Sequence, residues 1–287
     1  MVQFDDHFIQ AHRGASGAFP ENTMRAFVEA AATGARSIET DLSLLSDDSF
    51  AIFHDAKLGR TVTGNSDISV LDAKSLSECD AGKWRGPDFA GETIPALTDV
   101  LEWQLKTGIG FNWEIKPHIP NSLSNSEIEY TELCERHANA LCNALKGVDP
   151  ALNMISSFDG DCLAALVSVM PNIARTLVAD TLPEDWQNIA NELNLEGFHL
   201  NHEMLSKGQV EAIHAAGLSV RCYTVNEQVD IDRLAAFGVD MIITDWPERF
   251  ISLDKPKHSY PQRIWEDNII NYRHGTGKKR QRNLTKY

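Results

Sequence analysis

A chain of 287 residues with 43% hydrophobic and 23% charged side chains has ordinary globular composition, which excludes wholesale disorder, collagen-like repeats and a simple coiled coil. No apolar run approaches the roughly 18 residues that span a bilayer, and residues 1–7 carry acids where a secretion signal needs a basic start, so a cytoplasmic location without membrane insertion is expected. The net charge of −15 is uneven: residues 255–287 hold nine Lys/Arg against two Asp/Glu, which makes this tail +7 and the body before it −22.

A body so acidic disfavours nucleic acid and anionic lipid as partners, and it admits an anionic small molecule only where a cation or local positive groups override the field. The five cysteines form no CxxC pair and are too few and too odd in number for a disulfide framework. Reduced thiols are expected.

Taken in chain order, β-rich runs at 8–12, 37–41, 110–115, 153–157, 174–178, 197–200, 219–223 and 240–244 alternate with amphipathic windows at 22–33, 97–106, 128–145, 161–169, 183–193, 207–216 and 228–237. Gly34, Gly108, Gly147, Gly217 and Gly238 stand where helix C-caps belong. Eight βα steps over about 250 residues predict a (β/α)8 TIM barrel in residues 1–254, followed by a separate basic tail at 255–287. One stretch breaks the rhythm. Residues 50–54 read as an extra strand, and residues 57–93, rich in Gly, Ser and Asp with a short helix-like piece at 70–78, read as an insertion between the second strand and its helix. An insertion there stands at the strand C-termini, where barrels carry their sites.

Chemistry-bearing residues cluster at those strand ends. His12-Arg13-Gly14 ends the first strand and Pro20-Glu21-Asn22-Thr23 opens the following helix, which suits either a phosphate cradle or a plain turn. Glu39 and Asp41 are two apart on one face of the second strand, as are Glu114 and Lys116 on the third. Carboxylates aimed at one barrel mouth fit a hard divalent cation. The competing reading is a pair of buried salt bridges, Glu114 to Lys116 or Glu39 to Arg13. His54-Asp55 supplies a second imidazole, and two imidazoles can divide the acid and base work of splitting a phosphodiester. His199 and His202 fall on opposite strand faces, and Cys222 reads as an apolar filler.

The ordered set His-Arg-Gly, Pro-Glu-Asn-Thr, Glu39-x-Asp41, His54-Asp55 and Glu114-x-Lys116 resembles the glycerophosphodiester phosphodiesterase family. The likeness continues through Ser156-Ser157-Phe158, His199-Leu200-Asn201-His202, Tyr223-Thr224-Val225-Asn226 and Ile243-Thr244-Asp245, covering residues 8 to 250. The resemblance implies a TIM barrel and one divalent cation, Mg2+ before Ca2+ or Mn2+, held by Glu39, Asp41 and Glu114. It further implies His12 and His54 as the acid–base pair, Arg13 and Lys116 on the phosphate, and a glycerophosphodiester as substrate. Two alternatives remain at this point: the same barrel acting on a lysophospholipid or phosphoinositide, and a non-catalytic barrel that binds phosphorylated metabolites.

The tail is not part of that pattern. Gly275-Thr276-Gly277 precedes a Lys/Arg run with no apolar anchor, which predicts a mobile, catalytically dispensable end, with Ile264, Trp265, Ile269 and Tyr272 before it docking as a short helix. Truncation after Arg273 is expected to leave turnover on a small soluble substrate unchanged; a large fall shows that the tail serves the site.

Overall fold

A computed structural model of the chain describes residues 8–118 and 127–251, all within one compact unit, Met1–Leu253. The basic tail lies outside the described residues. Eight parallel strands close into a barrel: β1 (Ile9–His12), β2 (Ser37–Leu44), β4 (Gly110–Lys116), β5 (Asn153–Ser157), β6 (Ala174–Ala179), β7 (Gly197–Asn201), β8 (Ser219–Tyr223) and β9 (Met241–Thr244). Closure comes from β1, which pairs with β2 on one side and β9 on the other. The ninth strand, β3 (Phe50–Ile52), runs antiparallel to the upper half of β2 and stands outside the barrel.

Around the barrel lie α1 (Met24–Ala32), α2 (Leu97–Thr107), α3 (Glu127–Ala144), α4 (Gly160–Val169), α5 (Trp186–Glu192), α6 (Lys207–Ala215), α7 (Gln228–Phe237) and the short α8 (Pro247–Phe250). Local chemistry fixes several ends. The Thr23 hydroxyl accepts from the Ala26 amide to start α1, Ser206 and Gln209 cap α6 reciprocally, and α2 stops where Gly108 takes a left-handed φ of 68°. No described helix is long and apolar enough to cross a membrane.

Strand β4 shows why its sequence suits a strand buried on both faces. Phe111, Trp113 and Ile115 face outward, where Phe111 meets Phe27 of α1 and Trp103 of α2 edge to face at 5.7 and 6.2 Å. Asn112, Glu114 and Lys116 alternate inward. The barrel's register then sets polar residues level with each other: His12 stands beside Glu39, and Asp41 beside Glu114.

The insertion folds on its own small core, in which Val62, Ile68, Leu76, Ala81 and Ile94 pack against Leu45, Ala51 and Phe53. The helix expected at 70–78 is two 3-10 turns instead, Ile68–Val70 and Ser75–Glu78. Asp72 between them accepts from the Ser75 amide at 2.9 Å, an alternative to helical bonding that short polar side chains offer the backbone.

Gly197 on β7 stands opposite Ser219 with no room for a side chain. A Cβ there falls 2.2 Å from the backbone oxygen of Ser219 on β8, which cannot step aside without breaking the ladder. Gly197→Ala is expected to cost about 1–3 kcal/mol. The check is a lowered urea midpoint at unchanged slope; an unaltered midpoint shows that the two strands separate freely.

Candidate active site

The three acids singled out from strand periodicity meet at the C-terminal mouth of the barrel, with one carboxylate oxygen from each of Glu39, Asp41 and Glu114 within 4.8 Å of the others. All three are buried, which is costly for like charges. Two cations compensate them. Lys116 Nζ lies 3.2 Å from Asp41 Oδ1 and also contacts Glu114 Oε1, while Arg13 Nε lies 3.1 Å from Asp41 Oδ2. Thus the Glu114–Lys116 bridge forms within the same cluster. The Glu39–Arg13 side-chain bridge does not, because the guanidinium turns to Asp41 and Glu21 and only the Arg13 amide reaches Glu39 Oε2, at 3.2 Å.

Compensation is unequal across the cluster. Burial would raise the Asp41 carboxyl, but Arg13, Lys116 and His54 outweigh it and hold it well below the usual range. For Glu39, burial together with the charges of Asp41 and Glu114 pushes the carboxyl well above that range. Its Oε1 is buried with no hydrogen-bond partner among the described residues. Asp41 Oδ1 likewise has no hydrogen bond, only the Lys116 ion pair. An all-oxygen set with buried acceptors left without hydrogen bonds and a deficit of positive charge fits a hard divalent cation. A second group of ligand types, Cys134, Asp159 and Cys162, lies between α3 and α4, but there Asp159 is spent on the Cys162 amide and the Tyr130 hydroxyl.

Both predicted histidines border the acids. His12 Nε2 is 3.8 Å from Glu39 Oε2, and its Nδ1 bonds Asp245 Oδ1 at 2.6 Å. His54 Nδ1 bonds its neighbour Asp55 at 2.7 Å. Burial opposes ionisation of Asp245, yet hydrogen bonds from His12, Asn226 and Ser16 bring its pKa down to about 2, so it only accepts and His12 Nδ1 carries the proton. The Nε2 atom is thereby left free for chemistry.

Two residues of the first loop hold left-handed backbones without being glycine, Arg13 at φ 54° and Asn22 at φ 56°. Such conformations cost of order 1–3 kcal/mol and persist where surroundings demand them. Here both side chains converge on Asp41, with Asn22 Nδ2 donating to its Oδ2 at 2.7 Å.

The sequence profile of the Glycerophosphoryl diester phosphodiesterase family matches residues 12–249, from His12 to beyond Asp245. The chain belongs to that family. It is 32% identical over 254 residues to YhdW of Bacillus subtilis, across 85% of this chain and 96% of that one. It is 31% identical over 247 residues to a glycerophosphodiester phosphodiesterase of Caldanaerobacter subterraneus, again with 85% and 96% covered. Among solved structures, it superposes with a TM-score of 0.77 and 32% identity on an Oleispira antarctica phosphodiesterase in complex with the product sn-glycerol-3-phosphate, covering 85% and 94%.

The structure also exposes partners of this phosphodiesterase's site that motif reading passed over. In the sequence Asp245 carries no signal beyond the family likeness, because its bond to His12 spans 233 residues. Arg60, from the insertion, spends its guanidinium on two acids at once: Nε and Nη2 reach Asp55 at 2.7 and 3.1 Å, and Nη1 and Nη2 reach Glu21 at 2.8 and 2.7 Å. Asp55 holds His54, and Glu21 holds Arg13 Nη1 at 2.8 Å. A Gly-Arg pair in a polar loop was the sole signal available. His118, two residues past Lys116, is held down to about 4 by burial and by Lys116 and His54, and so remains a neutral imidazole. His199 and His202 are separate, the first bonded to Thr176 at 3.1 Å in the barrel interior, the second 3.9 Å from Asp230.

Arg60→Met removes the clamp on both sides of the mouth. Turnover is expected to fall by roughly 10- to 100-fold, the usual cost of losing an outer partner of a site, with Arg60→Lys intermediate because one ammonium cannot serve two carboxylates side-on. Wild-type turnover in both variants shows the tether to be dispensable.

Proposed function

We propose that the chain hydrolyses glycerophosphodiesters to glycerol 3-phosphate and an alcohol, with His12 and His54 as proton donor and acceptor and with Glu39, Asp41 and Glu114 holding one divalent cation, Mg2+ first. The observation that carries this reading is the buried three-carboxylate cluster, with its unspent Glu39 oxygen, standing against His12 at 3.8 Å. Family membership and the likeness to a phosphodiesterase with bound sn-glycerol-3-phosphate support the substrate class. The cytoplasm is the proposed location, and nucleic acid is not a proposed partner.

When bound, the cation supplies Lewis-acid polarisation of the phosphoryl oxygens and offsets the repulsion between an anionic substrate and an acidic body. The chain's own groups do the rest. Arg13 and Lys116 already stand within the cluster as fixed positive charges and meet the charge that develops on the phosphoryl oxygens. Each histidine is tethered at Nδ1 by a carboxylate, so each works through Nε2. One takes the proton from the attacking hydroxyl and the other delivers one to the leaving oxygen.

The attacking hydroxyl is that of the substrate's own C2 carbon, adjacent to the esterified position. Intramolecular attack draws on an effective molarity of up to about 10⁵–10⁸ M. A cyclic phosphate forms, and water opens it with the two imidazoles exchanging roles. A substrate lacking the 2-hydroxyl is therefore expected to bind without turnover. Its hydrolysis at the normal rate assigns the attack to water.

The division of labour separates by mutation. Glu39→Ala, Asp41→Ala and Glu114→Ala are expected to lose metal affinity and activity together. His12→Ala and His54→Ala are expected to lose roughly 10²–10⁴-fold in rate while still binding metal. Calorimetric titration decides between them: normal metal affinity in Glu114→Ala rejects that residue as a ligand, and glycerol 3-phosphate release that ignores a chelator rejects the cation.

A further inference from the structure

A phosphodiester has two ends, and the acids and histidines on β1, β2 and β4 and just beyond β3 account for one. The opposite wall of the mouth is made where β5, β6 and β8 end, in Phe158, Asp180 and Tyr223. Phe158 leaves half of its surface in water, 50%, although it stands directly beyond a buried strand. Its ring meets Tyr223 with centroids 5.9 Å apart and planes at 82°, so two aromatic surfaces form a corner. The Tyr223 hydroxyl donates to Asp180 Oδ1 at 3.3 Å, which sets an exposed carboxylate beside that corner. Lys116 Nζ joins the two walls, 3.2 Å from Asp41 Oδ1 and 5.7 Å from the Phe158 centroid.

We propose that Phe158, Tyr223 and Asp180 form the subsite for the leaving alcohol and select a quaternary ammonium headgroup of the choline type. This rests on the glycerophosphodiester reading above and names the end of the substrate that reading leaves open. A quaternary ammonium spreads its charge over methyl groups and has no N–H to donate, so aromatic faces suit it better than hydrogen-bond acceptors do. Two rings at right angles touch it on two sides. Asp180 adds a charge of the opposite sign, and the −22 body draws the cation toward the mouth. Lys116, one of the two cations that reading puts on the phosphate, lies against this wall, so the wall is the neighbour of a phosphate held there. If Phe158 served only to seat Lys116, one ring face would suffice, and neither the Tyr223 edge contact nor Asp180 would matter to substrate choice.

The test compares glycerophosphocholine with its uncharged isostere, the 3,3-dimethylbutyl ester of glycerol 3-phosphate, on the full chain with Mg2+. Shape is shared and only the charge differs. Wild type is expected to favour the choline ester by about 5- to 30-fold in kcat/KM. The ratio is expected to fall toward one in Phe158→Leu and Tyr223→Leu and by a smaller factor in Asp180→Asn. A wild-type ratio of one overturns the proposal. So does a wild-type preference that survives in all three variants, even where Phe158→Leu slows both substrates equally, since that outcome assigns the ring to Lys116. Should one ring variant fail to fold, the wild-type ratio and the exposed Asp180→Asn change still decide. Failure to release glycerol 3-phosphate from either ester overturns the functional reading itself, a result distinct from hydrolysis without preference.

Discussion

Three buried carboxylates held within 4.8 Å of one another are the constraint around which the mouth of this barrel is arranged. Unpaired, such a cluster would not stay ionised. Lys116 and Arg13 settle Asp41, and Asn22 adds a hydrogen bond, but Glu39 remains short of positive charge. The left-handed backbones at Arg13 and Asn22 are explained by the same need, because those turns carry the two side chains onto Asp41. Local strain and local electrostatics thus have one cause.

The two histidines share a tether through Nδ1 but differ in what supports it. Asp245, half-buried, accepts from His12, Asn226 and Ser16. Asp55 shares its charge with Arg60, and Arg60 in turn grips Glu21 and through it Arg13. The insertion is therefore more than a rim. It carries a small core of its own and is bolted to one proposed catalytic histidine and to one proposed phosphate ligand by a single guanidinium.

Charge is distributed by function across the mouth. Acids and imidazoles occupy the ends of β1 and β2, the turn after β3, and β4, while β5, β6 and β8 contribute rings and one exposed carboxylate. Lys116 stands at the seam between these halves. An acidic body that would repel an anion as a whole can still admit a diester with one anionic phosphate, provided that the local positive charge lies at this seam.

Alternation of short β-rich runs and amphipathic windows determined the barrel, and the period of two determined that Glu39 with Asp41, and Glu114 with Lys116, share an inward face. These features are local, so they can be read without coordinates. His12 and His54 were legible as residue types at strand ends, and the insertion as a break in rhythm. Only the closed tertiary structure decided which cation serves which acid, because Arg13 reaches Asp41 and Glu21 through a turn that no periodicity encodes. It also decided that Asp245 orients His12 across 233 residues, since that contact exists only once β9 pairs with β1. Arg60 meets Asp55 within its own segment, but its reach to Glu21 across 39 residues needed the folded insertion. The Phe158–Tyr223 corner has the same origin as the Asp245 contact: barrel closure brings together strand ends that are remote in the chain, and their meeting depends on register and curvature rather than on any pattern within one segment.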